Sequence, residues 1–265
     1  MALQPTYPMV NKGLLYINGL GMSYLTTTTV AVATGQARDS TNINDINLTT
    51  GVTLNTALSG VNGLDQGTLA ASTIYAVYAI GNSTANDPSV NVDASTGGTF
   101  QPAQTLMSLS FTAPALPTGY DMFRRIGSVL LDGSKNILEF VQSGSDFYYV
   151  TPIASNITAG ASASYVAVVL TNIIPVTARK VYAPCTLTAD AGAARSVRLI
   201  SGFASSTARG TATNYNTTFN AAASAVVTEV LSCPCSTTPA TAIYYNVSNT
   251  SAAVLIDIIG FQDTL

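Results

Sequence analysis

The stretch Ser72-Thr73-Ile74-Tyr75-Ala76-Val77-Tyr78-Ala79-Ile80-Gly81-Asn82-Ser83 decides the fold. Side chains alternate across a strand, so Ile74, Ala76, Tyr78 and Ile80 share one face and Tyr75, Val77 and Ala79 the other. Both sets are apolar, and turn-forming residues bound the run on either side. That pattern predicts a β-strand buried on both faces. Working outward, Ile126–Leu131 and Ile137–Val141 flank Asp132-Gly133-Ser134-Lys135-Asn136. Asp-Gly readily supplies the positive backbone angles of a tight turn, so these two runs are expected to pair as an antiparallel hairpin. Tyr24–Ala33, rich in threonine, has strong β-propensity, and Ile46–Leu48 starts another short strand. Asn82–Gln104, with Asp87-Pro88 and Gly97-Gly98, reads as a long polar loop.

The second half repeats this style. Tyr165–Leu170 reads as apolar on both faces, and Ala178–Tyr182, Ser196–Gly202, Ala225–Leu231, Ala242–Val247 and Ala253–Gly260 are further strand candidates. Asn220–Ser224 allows one helical turn at most. The Ala-, Ser- and Gly-rich segment 151–164 reads as a linker, which places a boundary near Tyr149–Pro152. The fold class expected is all-β: two antiparallel β-sandwich or jelly-roll domains over 23–151 and 152–265, with an extended N-terminal arm over 1–22. Pro5, Pro8, Gly13, Gly19 and Gly21 rule out a helix in the arm. Its Tyr7, Leu14, Leu15, Tyr16 and Ile17 could anchor it on a neighbouring subunit, or the arm could form an edge strand of its own domain.

Hydrophobic residues make up 47% of the 265 residues and charged residues only 9%, against the usual quarter or so for charged residues. A weakly charged surface on a β protein points to an assembly in which part of that surface is covered. The net charge is −3, and the 10 lysines and arginines are scattered, so there is no electrostatic footprint for nucleic acid. Adjacent Arg124 and Arg125 on a strand face opposite ways. The N-terminal M-A-L-Q-P-T-Y-P-M-V lacks a basic-then-apolar signal pattern, and no apolar run approaches the roughly 20 residues that span a bilayer. The expectation is a chain made in the cytoplasm without export, and no membrane partner.

The inventory is poor in chemistry. There is no histidine, which removes the commonest general base and most imidazole metal sites. Glu139 and Glu229 are the only glutamates, and Asp39, Asp45, Asp65, Asp121, Asp132 and Asp146 fall at turns, where aspartate bonds the backbone. Asp39, Asp45 and Asp65 could gather around calcium, but EF-hand spacing is lacking. No phosphate-binding glycine loop occurs. The expectation is no catalytic residue, no cofactor and no metal. Cys185, Cys233 and Cys235 are read as buried free thiols, with a pairing of Cys185 to one of the other two as the alternative. The 13 tyrosines suit subunit interfaces or, alternatively, stacking on sugars.

Four motifs occur in order: Gly35-Gln36-Ala37-Arg38-Asp39-Ser40-Thr41-Asn42, Gly63-Leu64-Asp65-Gln66-Gly67-Thr68, Arg124-Arg125-Ile126-Gly127-Ser128 and Phe140-Val141-Gln142-Ser143-Gly144. Together they resemble a module of bacteriophage and prophage structural proteins, usually tail-fibre-like or otherwise exposed on the virion, over about the first 150 residues. The resemblance implies a non-enzymatic virion protein of tail-fibre or tail-adaptor type that assembles with other tail or capsid proteins, as a homotrimer. It supplies no catalytic residues. Two rivals stay open. A capsid decoration (head fibre) protein is favoured by the absence of a collagen-like or heptad shaft. A carbohydrate-binding module for host attachment is favoured by the tyrosines.

Overall fold

The computed structural model describes residues 16–83, 102–201, 217–235 and 242–265, and every regular element among them is a β-strand. In chain order these are β1 (Ile17–Gly19), β2 (Met22–Thr26), β3 (Thr29–Val32), β4 (Gly35–Arg38), β5 (Asp45–Leu48), β6 (Val52–Asn55), β7 (Ile74–Gly81), β8 (Gln104–Ser108) and β9 (Met122–Leu130). They continue as β10 (Phe140–Ser143), β11 (Asp146–Ala154), β12 (Val166–Val169), β13 (Ala178–Thr188), β14 (Arg195–Ser201), β15 (Thr217–Ala221), β16 (Val226–Pro234), β17 (Ala242–Val247) and β18 (Ala253–Asp263). The strand pairs are antiparallel throughout, and the chain is all-β as its patterning predicts.

One broad sheet runs in the order β16-β13-β18-β11-β10-β2-β3-β6. Smaller sheets accompany it: β8-β7-β9, β12-β17-β14-β15 and β1-β4-β5. The large sheet turns one face inward, with Met22, Val30, Phe140, Phe147, Val181, Cys185, Ile256 and Phe261 all buried in a single apolar cluster. Val197, Leu199, Phe219 and Ile243 of the four-stranded sheet belong to the same cluster, and β14 and β15 lie against β13 and β16. At the other end, Gly127 of β9 packs where a Cβ would collide with Met22 and Phe147. The position near 151 where a linker was expected falls inside β11, which pairs with β10 on one side and with β18 on the other.

Strand β7 is buried along its whole length. Tyr75, Val77 and Ala79 enter the main cluster. Ala76, Tyr78 and Ile80 meet Leu106 and Tyr120 in a second one, beneath Phe111, Leu116 and Phe123. The covering loop is tied down by Tyr78, whose hydroxyl donates to the Ser110 carbonyl at 2.7 Å, and by Asp65, whose carboxylate accepts the Ala115 N–H at 3.0 Å.

Other expectations need correction. Tyr24–Ala33 is not one strand but the hairpin β2–β3, bent at Thr27 and Thr28. Threonine hydroxyls replace the usual Gly or Asn there: Thr26 and Thr29 share a 2.7 Å hydrogen bond, and Ile137 N donates to the Thr27 carbonyl at 2.7 Å. The Asp132 turn forms, with the left-handed residue at Lys135 rather than Gly133. Beyond the Leu131–Ile137 bridge, however, β9 stays with β7 while β10 crosses to the large sheet. Most of the expected pairing is thereby replaced by a corner between sheets. Tyr165–Leu170 is a half-exposed edge strand, with Val166 and Val169 in solvent. Gln104, placed in a loop by its polar neighbours, opens β8, and residues 84–101 lie outside the described residues. Asn220 and Ala221 end β15, and no helical turn follows.

Two predictions follow from the way the core is closed. Arg125 of β9 forms a salt bridge to Asp263 at the end of β18, and Asp263 also accepts the Thr177 hydroxyl at 2.6 Å. The Asp263 side chain is fully buried and that of Arg125 nearly so. Asp263→Ala should lower stability by about 3–5 kcal/mol, because it strands a buried cation; replacing both partners with apolar residues should cost less, as read by urea midpoints. The three thiols are buried and unpaired. Burial pushes Cys185 up to about 12, with Asp257 adding to the shift, and burial alone takes Cys235 up to about 12. A thiol reagent at pH 8 should therefore read none of them in native protein and all three in denaturant.

Candidate functional site

The broadest exposed feature is the outer face of the large sheet. One continuous row crosses all eight strands: Thr53, Ala31, Ser23, Val141, Tyr148, Gly260, Tyr182 and Ser232, each register partner of the next. No member of the row is charged. Further along β13 and β16 the same face carries Pro184 opposite Val230, Thr186 opposite Thr228 and Thr188 opposite Val226. Large apolar side chains stand in solvent here: Val141 is 57% exposed, Val150 53%, Val226 64% and Val230 61%.

Gly260 shapes the centre of this face. It lies between Tyr148 of β11 and Tyr182 of β13, and its missing side chain lets the two rings stack over β18 with centroids 5.3 Å apart. Aromatic cover of a strand glycine is a known way of restoring lost packing. The Tyr182 hydroxyl donates to Asp146 at 2.6 Å, and Gln262 Nε2 donates to the same oxygen at 3.3 Å. Burial, reinforced by the Asp146 carboxylate, raises the Tyr182 phenol well above its ordinary range. Tyr182 is therefore kept protonated, and its hydrogen bond fixes it against Asp146.

Of the residues expected to anchor an arm, Tyr7, Leu14 and Leu15 lie outside the described residues. The Tyr16 carbonyl accepts the Arg38 N–H at 3.0 Å, and Ile17 pairs with Ala37 in β1–β4 of the same chain. Ile17 also lines a cleft of about 400 Å³ with Leu20, Ile126, Gln142, Gly144 and Leu265. Gln142 is engaged structurally there. Its Oε1 accepts Met22 N–H at 2.7 Å, and its Nε2 donates to the Gly144 carbonyl at 3.0 Å and to that of Ile126 at 3.3 Å.

Among the described residues, the acids singled out in the sequence are not brought together. Glu139 and Glu229 are exposed, Glu229 on β16 and Glu139 just before β10, with three strands between. That separation is roughly 20 Å at ordinary strand spacing. Asp45 pairs with Arg38 at 3.1 Å, Asp65 holds the loop over β7, and Asp39 closes its own turn. No group of three metal-ligating side chains occurs among the described residues, and no helix among them is long and apolar enough to cross a membrane.

The four sequence motifs sit at joints of the fold. Asp39 accepts the Thr41 hydroxyl at 2.7 Å and the N–H groups of Ile43 and Asn44 at 2.9 and 3.2 Å, while Ser40 N–H donates to the Phe123 carbonyl of β9 at 2.8 Å. Gly63 and Asp65 exchange backbone hydrogen bonds with Met107 of β8. The third motif contributes the Arg125 ion pair and Gly127, the fourth Gln142. The outer face itself escaped sequence reasoning, although the alternation of Tyr182, Pro184, Thr186 and Thr188 with buried Val181, Ala183, Cys185 and Leu187 carried the signal.

Fold and surface thus define an all-β sandwich protein whose main exposed feature is a sheet face crossed by an uncharged row, with Asp146, Lys180 and Asp257 beside it. No family model matches the chain, and no curated protein matches it. Among solved structures it is similar to the VP2 subviral particle of infectious bursal disease virus, at 14% identity and a TM-score of 0.23, over 96% of this chain and 74% of that one. A structure of the Gx strain of the same virus gives 14% identity and a TM-score of 0.22, over 93% and 66%. These weak neighbours are viral capsid proteins, and a likeness at that level carries no functional inference.

The Asp39 turn predicts an acid limit. Burial by itself would raise the Asp39 carboxyl, but the hydrogen bonds from Thr41, Ile43 and Asn44 hold it below the usual 3.8. A carboxyl depressed in the folded state stabilises above its unfolded value and loses that contribution as pH falls through the folded one. Asp39→Ala should lower stability at pH 7 by about 1–3 kcal/mol, and the gap from the parent should narrow in melts taken progressively below the usual aspartate value.

Proposed function

We propose that this chain is a non-enzymatic structural protein of a bacteriophage virion, exposed on the particle and assembled as an oligomer, of tail-fibre or tail-adaptor type. The observation that carries the reading is the outer face of the large sheet, which is crossed by an uncharged row and carries exposed valines and a tyrosine pair. A protein that worked alone in water would be expected to place more charge there. Two further features agree with it. The motifs that resemble the phage module all brace strands and turns and do not converge on one pocket. Among the described residues the carboxylates are engaged in turns and ion pairs or stand apart, which leaves no pair of them positioned to work on a substrate. In this reading the chain needs no cofactor and no nucleic acid, and its partners are copies of itself and other tail or capsid proteins.

A place on the head, as a capsid decoration protein, is the second reading, and the compact sandwich without a shaft among the described residues favours it. Immunogold labelling of intact particles tests both. Gold on the tail is the expected outcome. Gold spread over the head moves the assignment to decoration. Unlabelled intact particles, with an antibody proven on the denatured protein, would overturn the virion role.

A further inference from the structure

We infer that the outer face of the eight-stranded sheet is where copies of this chain meet, the same face of each copy turned toward a common symmetry axis. The inference rests on the oligomeric role proposed above and names the surface that performs it.

Charge is the first argument. In a closed symmetric assembly, residues near the axis face their own copies. A single lysine or glutamate there repels itself, and burying it carries a desolvation cost as well. The row from Thr53 to Ser232 contains no ionisable side chain other than the two tyrosines, and the Pro184–Val230, Thr186–Thr228 and Thr188–Val226 pairs contain none. Charge on this face stands beside that row, at Asp146 and Lys180 on either side of Gln262 and at Asp257, so the row itself is the part that suits an axis.

Area is the second. Strands β16, β13, β18 and β11 are 9, 11, 11 and 9 residues long. At a rise of about 3.4 Å and a spacing of about 4.8 Å they offer roughly 600 Å², and the four shorter strands add roughly 300 Å². The total matches the ~800 Å² that each partner contributes to a stable interface.

Preorganisation is the third. Tyr148 and Tyr182 are locked against each other and to Asp146, and the β-branched valines and threonines around them have few rotamers to lose. Such a surface packs against another with little ordering cost. The stacking also occupies one face of each ring, which leaves the pair poorly disposed as a flat platform for a sugar.

The test is the mass of the full chain by light scattering at micromolar concentration, for the parent and for Val141→Lys, Val230→Lys and Val166→Lys. Val166 is exposed on the edge strand β12 of a different sheet and serves as the control. The parent and Val166→Lys should run as a dimer or trimer. Val141→Lys and Val230→Lys should fall to the single-chain mass while keeping a cooperative melt. A monomeric parent, or lysine variants that stay assembled, overturns the inference. Failure here is separable from failure of the virion role. A monomer that labels intact particles overturns only the face pairing, and an assembled chain that never labels them overturns only the virion role.

Discussion

The rest of the structure depends on how closely β18 can approach β11. Gly260 lies so near Phe147 that a Cβ on residue 260 would collide with the Phe147 carbonyl oxygen. With the glycine in place, the two strands pair in register, and Phe147 and Phe261 stack on the inner face with centroids 5.1 Å apart. Tyr149 leans on Phe261 from the side, and its hydroxyl donates to the Ile173 carbonyl. On the opposite face the same glycine allows Tyr148 and Tyr182 to meet. One absent side chain thus sets the packing on both sides of the sheet, and the Arg125–Asp263 pair fastens the end of β18 to the sheet that holds β7. Strands from the two halves of the chain are joined through this point.

Much of the fold was legible because it follows from local pattern. The double-sided burial of β7 shows in seven consecutive apolar residues, and β17 matches its predicted bounds. What escaped reading has physical causes. The predicted strand Ala178–Tyr182 stops short of Pro184 and the predicted linker begins beside Pro152, and proline lacks the N–H a ladder needs. In the structure both prolines sit inside register shifts against β18, between Tyr182 and Cys185 and between Tyr148 and Ile153. At such a bulge the missing donor costs little. The β2–β3 turn lacked a glycine because threonine side chains close it. The outer face needed the register of eight strands, and pairing between residues more than 100 positions apart leaves no local trace. Tyr16 and Ile17 were visible as apolar positions, but their pairing with Arg38 and Ala37 was not.

The four motifs mark joints of the fold and not chemistry. Asp39, Asp65, Arg125 and Gln142 are polar residues of the kind that populate active sites, and each has its hydrogen-bonding capacity engaged by the fold. Each also fixes a place where the chain changes direction or changes sheet. Losing one would leave its hydrogen-bond partners unsatisfied.

The placement of β18 also sets an order of events. Its neighbours, β11 and β13, lie about 100 and 70 residues earlier in the chain, and neither can pair with the other while the slot between them is empty. During synthesis the large sheet stays split in two until residues as far as 263 have emerged, with long loops to close before the last strand is rewarded. The outer face is completed by that same late insertion. A nascent chain therefore lacks this surface until its last strand is in place, and the topology acts as a timer that withholds the finished face until folding is done.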